Sequence, residues 1–474
     1  MIRNFDNKIG VVHFIGIGGI GMSGIAEVLS NLGFSISGSD ISENQNINRL
    51  RNKNIKVSIG HSKKNIEDKA IVVISSAIKS NNEELVEARR LRLPIVKRSE
   101  MLAELMRFKT TIAVGGTHGK TTTTSLIATI LEKAGFDPTV VNGGIINSYN
   151  SNAKLGSSDW VVVEADESDG SFVKLPATNV IVTNIDAEHL DHFGNFENLK
   201  EAFKQFINNI PFYGLAIVCI DNPTIQSIIS EIEDRRIITY GLSPQADFRA
   251  QNIEYKDSKA FFSIEISPRI DSPKKKIENI VSNIPGIHNV QNALAACAMS
   301  IELGIQIKNI REALEVFQGV NRRFSLLKIL NGIKVFDDYG HHPVEIRASL
   351  AAARDITKNK VVAVVQPHRY SRVKSLFQDF TTAFNDADTV FVMDIYSAGE
   401  KKIENINREN LIQSLIAAGH KDVRPYECNS SLESFISKKL LEGDVIIFLG
   451  AGDITIKAKE FTSKFNESHE KYAN

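Results

Sequence analysis

Cysteine is scarce. The three present, Cys219, Cys297 and Cys428, stand far apart and form no CxxC pair. That excludes a zinc ribbon and a disulfide framework, and each thiol, set in an apolar stretch, is expected to be buried and inert. Excess charge of either sign is also missing. The 56 Lys and Arg balance 56 Asp and Glu, so no global field draws nucleic acid or an anionic membrane, and any anion site must be local. Long apolar runs are absent: stretches such as "LAIVCI" fall far short of the ~20 residues a membrane helix needs. The opening "MIRNFDNKIG" lacks the apolar core of a signal peptide, and a cytoplasmic protein is expected. Low-complexity linkers and short repeats are missing too, although 474 residues are too many for one core and imply roughly two to four domains.

What is present is rhythm. Short β-branched runs ("VVHFI", "AIVVIS", "TIAVG", "WVVVEA", "NVIVTNI", "AIVCI", "VVAVV", "TVFVMDI", "DVIIFLG") alternate with helical stretches, the pattern of α/β domains with mainly parallel sheets. Between 247 and 284 polar alternation predicts a few antiparallel strands, ending at the helical "GIHNVQNALAACAMSIELG". Three blocks follow: a Rossmann-like domain over 1–107, a central P-loop ATPase-like parallel sheet with a small antiparallel addition over 108–320, and a Rossmann-like domain over 321–474 that opens on the strand "IKVFDDY".

The first block carries Gly16, Gly18 and Gly21 as G-x-G-x-x-G between a strand and a helix, with Asp40 ending the next strand. Such a turn brings backbone close to a pyrophosphate and aims a helix N-terminus at its charge. Glycines alone do not separate NAD from any other nucleoside diphosphate, nor from a purely structural turn.

The second block opens on "AVGGTHGKTTTT". Counting back from Gly119-Lys120-Thr121, the usual P-loop glycine falls at Val114, so the loop is one residue short. It still offers backbone N–H groups, a lysine and hydroxyls from Gly116, Thr117, His118, Gly119, Lys120, Thr121 and Thr122, all that a phosphate cradle and a Mg²⁺ contact require. Carboxylates at neighbouring strand tips would complete a metal corner. "DWVVVEADESDG" ends a strand at Glu164, with Asp166, Glu167 and Asp169 beyond; "NVIVTNIDAEHLDHF" ends another near Asn184 and Asp186, followed by His189 and His192. Zinc is disfavoured, because no third histidine or cysteine lies nearby.

Together these segments resemble the Mur ligases, the ATP-dependent amino-acid ligases of peptidoglycan synthesis, over essentially the whole chain. "GTHGKTTT" has that family's shortened loop, and "VVEADESDGSF", "TNIDAEHLDHF", "GIHNVQNALAA", "NRRFSLL" and "DDYGHHPVEI" follow in the family's order. "HFIGIGGIGMSGIAEVL" and the double histidine are similar to the member that adds L-alanine to UDP-N-acetylmuramate. The nearest rival is the murein-tripeptide recycling ligase.

The resemblance implies a reaction among ATP, UDP-N-acetylmuramate and L-alanine through an acyl phosphate, in the cytoplasm, by a monomer or homodimer. It implies ATP on residues 116–122 with Asn289 and Asn292 on the adenine side, although Asn289 could equally cap a helix. Thr121 and Glu164 would hold one Mg²⁺ and His189 a second. Lys120, His189, Arg323, Asp338 and His341 would be catalytic, Arg323 also meeting ATP phosphates, with Arg322 ambiguous. The first turn becomes a UDP site of Gly18, Gly19, Ile20, Gly21, Met22, Ser23 and Asp40, joined by Ser75, Ser76 and Arg98. His342, His368, Arg369 and Arg372 would face the amino acid, an arginine holding its carboxylate bidentately, against the alternative of a basic surface loop. "FLGAGDI" lines that cleft or is structural. Several relatives carry a carbamylated lysine downstream of the metal histidine. Here that position is Phe203, with Lys204 one residue later, and ordinary ligands with water are expected. The alternatives, an NAD-dependent oxidoreductase or a nucleotide switch without catalysis, leave respectively the Lys120 loop or the first turn and "DDYGHHP" unexplained.

Overall fold

The computed structural model describes residues 10–107, 109–427 and 429–470. Three sheets carry the chain. The first holds β1 (Val11–Ile15), β2 (Ile36–Asp40), β3 (Lys56–Ile59), β4 (Lys69–Ile74) and β5 (Ile95–Lys97), in the order β3-β2-β1-β4-β5. Every pairing in it is parallel. Strand order reverses between β1 and β4, so a crevice opens beyond their carboxyl ends, the usual place for a ligand in a doubly wound sheet. The glycine turn and Ser75-Ser76 both fall there.

The second sheet has ten strands: β6 (Thr110–Gly115), β7 (Thr139–Ile146), β8 (Ser151–Lys154), β9 (Trp160–Glu164), β10 (Asn179–Val182), β11 (Leu215–Cys219), β12 (Arg236–Gly241), β13 (Phe248–Lys256), β14 (Lys259–Ile266) and β15 (Lys276–Ser282). Their order is β15-β14-β13-β12-β11-β10-β6-β9-β7-β8. β6 lies between β9 and β10 in parallel register, with Val114 opposite Glu164 and Gly115 opposite Val182. The short loop after Gly115 is thereby flanked by two strand tips. The antiparallel β7–β8 hairpin was not foreseen, since the polar "NGGIINSYNSNAK" hides its period of two. The helix Lys120–Lys133 that follows the loop is buried on every side from Thr121 to Leu131. Its polar residues are tolerated there partly because Ser125 and Thr129 donate back to the Thr121 and Ser125 carbonyls.

The third sheet holds β16 (Ser325–Leu330), β17 (Ile333–Asp338), β18 (Val361–Val365), β19 (Thr389–Val392), β20 (Val423–Pro425) and β21 (Val445–Leu449), ordered β16-β17-β21-β18-β19-β20. The expected opening strand, "IKVFDDY", is β17. An antiparallel edge strand, β16, of sequence SLLKIL, precedes it, with Leu326 and Ile329 exposed. Two compact units result. One carries the first sheet and most of the second; the other carries Gly319 onward with the segments Asn252–Phe262 and Val281–Val290. Cys219 and Cys297 are buried as expected, and Cys428 lies outside the described residues. Among the described residues no helix is long and apolar enough to cross a membrane.

A polar knot is buried in the first sheet. The fully buried Glu84 accepts from Ser39 Oγ (2.5 Å), Asn65 Nδ2 (2.5 Å) and the Ser62 N–H (3.2 Å), and lies 3.6 Å from His13 and 3.3 Å from His61. Burial alone would raise its pKa; His13, Ser39 and Asn65 overcome that and hold it at about 2, below the ordinary 4.5. A carboxylate depressed on folding stabilises above its unfolded pKa, and that contribution disappears as pH falls from 4.5 towards 2. Glu84→Gln is therefore expected to cost on the order of 2 kcal/mol at pH 7. In urea melts the gap to the parent should close in the acid range, and a gap independent of pH would show that the charge is not what stabilises.

Candidate active site

The first glycine turn is built by β1 and fixed by β2. Gly16 takes φ +80°, which favours a residue without Cβ, and the Gly16 and Ile17 N–H groups donate to the Ser39 carbonyl at 2.8 and 3.0 Å. Asp40 accepts from the Gly18 N–H (2.8 Å) and the Ile41 N–H (2.8 Å), so it holds the turn itself. The helix Ile20–Asn31 begins at Gly19, which offers no side-chain cap; Met22 and Ser23 are buried, and Ser23 Oγ donates to the Ile20 carbonyl. Arg98 lies across the turn: a Cβ on Gly21 would sit 3.1 Å from its guanidinium, which also pairs with Asp166 at 3.2 Å. Ser75, Ser76 and Arg98, with Asp169, Lys174 and His192, line one cleft of about 540 Å³. The structure thus brings together three of the expected sugar-nucleotide residues and adds Lys174 and His192, which sequence reasoning did not assign to it.

The second turn is the short loop between β6 and the helix Lys120–Lys133. Gly116, at φ +128°, passes so close to the end of β10 that a Cβ would collide with Thr183 Oγ1, and a Cβ on Gly119 (φ +83°) would lie 2.5 Å from Asn292 Oδ1. Residues beyond β10 tie the loop down. The Thr117 N–H donates to the Asn184 carbonyl, the His118 N–H to Asn184 Oδ1 (2.7 Å), Thr183 Oγ1 to the His118 carbonyl (2.6 Å), and the Asp186 N–H to Thr117 Oγ1 (2.9 Å). Asn292 Oδ1 accepts from Thr123 Oγ1 at 3.2 Å, placing that asparagine against the loop. Asn289 instead donates to the Pro285 carbonyl in its own helical turn.

Lys120 reaches back over the loop. Its ammonium donates to the Gly116 and Thr117 carbonyls (2.6 and 3.0 Å) and to Glu167 Oε1 (3.0 Å), with Glu167 Oε2 in ion-pair contact at 2.8 Å. Burial pulls its pKa down, but Glu167, Glu164 and Asp166 more than compensate and hold it above its ordinary value. Burial pushes Glu167 up, opposed by Lys120. Glu164, at the tip of β9, accepts from the Gly143 N–H at 2.7 Å. His189 takes a left-handed backbone (φ 55°) at the start of the short helix Leu190–Phe193, and its Nε2 is 3.8 Å from Glu167 and 3.7 Å from Glu188. Ligand atoms of Glu167, Glu188 and His189 all lie within 4.8 Å of one another. Hard oxygen donors around a phosphate loop suit Mg²⁺, so the residues fit that ion. Of this group sequence reasoning had assigned a role only to His189; Glu167 stood in an acidic run whose buried member carries no local signature. Phe203 packs in the core against Phe172 (ring centroids 4.9 Å apart), while Lys204 turns outward to Glu201 and Glu231.

In the other compact unit, the carboxyl ends of β17, β18, β19 and β21 gather the remaining candidates. Arg322 donates to the Gly450 carbonyl (2.6 Å) and more distantly to that of Gly452, and covers the Tyr339 ring; it ties the "FLGAGDI" turn in place. Arg323 is 3.8 Å from Glu345. Asp338 is buried, accepts from the Phe324 and Gly340 N–H groups (2.6 and 2.7 Å), and is raised by that burial. His341 Nδ1 contacts the Tyr339 carbonyl at 2.9 Å. His342 caps the helix Pro343–Asp355 in a capping box with Glu345, a start signal legible in "HHPVE". His368 stacks on Tyr396 and sits edge-on to His341. Burial, then His341, Arg372 and Arg369, lower it to about 4, leaving it neutral beside Arg372 (3.4 Å). Arg369 takes φ +68°, held there by its N–H donating to the Tyr396 carbonyl at 2.8 Å.

A Rossmann-type crevice, a shortened phosphate loop with a carboxylate–histidine corner, and a third α/β domain define an ATP-dependent ligase of multi-domain build, and the chain belongs to the Mur ligase family. Three family models match in order: the Mur ligase family catalytic domain over residues 11–110, the Mur ligase middle domain over 114–300, and the Mur ligase glutamate ligase domain over 322–452. The chain is 56% identical over 448 residues to the UDP-N-acetylmuramate–L-alanine ligase of Methylorubrum extorquens, covering 94% of this chain and 96% of the relative. It is 52% identical over 459 residues to the ligase of the same name in Sinorhizobium medicae, covering 97% and 98%. Among solved structures, it is similar to the UDP-N-acetylmuramate-alanine ligase MurC from Thermotoga maritima (TM-score 0.81, 32% identity, 97% of this chain and 100% of that one). A murein peptide ligase from Psychrobacter arcticus shares the fold (TM-score 0.68, 21% identity, 96% and 98%).

Proposed function

We propose that this chain is the cytoplasmic ligase that joins L-alanine to UDP-N-acetylmuramate with ATP in peptidoglycan synthesis. The observation that carries the reading is the pairing, within one compact unit, of a sugar-nucleotide crevice at Gly16–Gly21 and Arg98 with a phosphate loop closed by Lys120. The choice of alanine follows the names of the relatives.

A carboxylate is a poor electrophile. Transfer of the γ-phosphoryl to the muramoyl carboxylate releases ADP and gives an acyl phosphate; the alanine amine then adds to the carbonyl, and the tetrahedral intermediate expels phosphate to leave the amide. Both partners of the first step are anionic, so the protein's work is alignment and charge neutralisation. Backbone N–H groups of residues 116–122 cradle the phosphates, Lys120 follows the moving phosphoryl, and Asn292 and Asn289 serve the adenine. Thr121 and Glu164 would hold one Mg²⁺ and His189 a second, and the ions would supply positive charge to offset that of the reacting anions. Gly18 through Ser23, Ser75, Ser76 and Arg98 orient the UDP substrate. Arg323, Asp338 and His341 are the third domain's catalytic groups; Arg369 and Arg372 hold the alanine carboxylate, with His368 and His342 behind them.

The test is phosphate release from ATP and Mg²⁺ with UDP-N-acetylmuramate and a panel of amino acids, with the product weighed. Release dependent on alanine supports the proposal. Release that needs a preformed tripeptide would instead make the chain a recycling ligase, and no release with either would end the ligase reading.

A further inference from the structure

Lys120 is fully engaged by the protein itself. Its three N–H bonds go to the Gly116 and Thr117 carbonyls and to Glu167 Oε1, and Glu167 Oε2 completes the ion pair at 2.8 Å. Glu167 is 2% exposed, so little water screens the pair, and the same carboxylate lies 3.8 Å from His189, in the group that includes Glu188. It therefore stands between the ammonium that must grip a phosphate and the imidazole expected to bind a cation. Glu164 and Asp166 add their fields at Lys120, and Asp186 lies 3.3 Å from His118 on the loop. The corner is rich in carboxylate, and an unaccompanied triphosphate entering it meets like charge at close range.

We propose that Glu167 is a positioning residue that holds Lys120 against the loop and passes to the cation side with Glu188 and His189 when a nucleotide takes its place, so that nucleotide and divalent cation bind as a coupled pair. The inference rests on the nucleotide site of the proposed function. A phosphate oxygen can take over the Lys120 contact only if Glu167 gives it up, and a buried carboxylate stripped of its cation is costly unless another replaces it. Mg²⁺ is that replacement. Glu167 thereby makes the loop select the magnesium complex of ATP over free ATP.

Calorimetry with β,γ-imido ATP, with Mg²⁺ and in EDTA, tests this on the full chain. In the parent, Mg²⁺ is expected to tighten binding at least tenfold. In Glu167→Gln, free nucleotide should bind more tightly than in the parent, and the Mg²⁺ enhancement should fall by about tenfold. A merely structural role would weaken both states alike, so an enhancement equal to the parent's overturns the inference. Should Glu167→Gln fail to fold, Glu167→Asp, whose carboxylate is drawn back by one methylene, should cut the enhancement severalfold, and an unchanged ratio overturns the inference equally. If the parent itself does not bind the nucleotide, the ATP site fails, a result distinct from loss of coupling alone.

Discussion

Lys120→Ala is expected to abolish turnover, by ~10³-fold or more, while UDP-N-acetylmuramate binds within about twofold of the parent. The asymmetry follows from the layout of the first compact unit. Lys120 serves the loop after β6, whereas the UDP substrate is assigned to the turn after β1 and to Arg98. Asp166 links the two, paired with Arg98 and acting on Lys120 through its field; losing the ammonium leaves that pair in place. Phosphate release and calorimetry with the UDP substrate check both halves. A variant that also loses the UDP substrate by tenfold or more would show that the two cradles are not separate sites.

His189→Ala is expected to lower turnover by ~10²-fold or more while nucleotide affinity changes by less than about tenfold. Its imidazole faces Glu167 and Glu188. The left-handed backbone at this position is one that asparagine tolerates better than alanine. His189→Asn, whose side chain tolerates that conformation, separates strain from chemistry. Both variants should require more Mg²⁺ for half-maximal rate. Equal losses in rate and in ADP binding would remove the metal assignment.

The sequence made the architecture legible where residues bury both faces of a strand. "VVHFI", "WVVVE" and "VVAVV" are parallel strands because a continuous apolar run has no other stable home between two helical layers. Alternation also marked the strands between 247 and 284, but the glycine-interrupted β7–β8 hairpin and the short edge strand β16 carry neither signal clearly. The site divides in the same way. Gly116 and Gly119 were readable because glycine at a positive φ leaves a local mark. Glu167 was not, since its importance comes from a lysine 47 residues away and from a histidine on another strand tip. Asn184 and Thr183, which hold the loop through its own carbonyls and N–H groups, belong to the same unreadable class: contacts made by topology, with no spacing to announce them. Arg322 and Arg323 show the converse. They are adjacent and chemically alike, and their partners tell them apart: the Gly450 carbonyl for Arg322, Glu345 for Arg323.

Phe203 has one more consequence. A lysine carbamate forms when an uncharged amine captures dissolved carbon dioxide, and a benzene ring sealed against Phe172 offers no such amine. Its neighbour Lys204 is kept protonated by Glu201 and Glu231 and points away from the corner. The catalytic rate of this chain should therefore be indifferent to bicarbonate in the medium, unlike that of a relative whose metal corner must first be built by a gas.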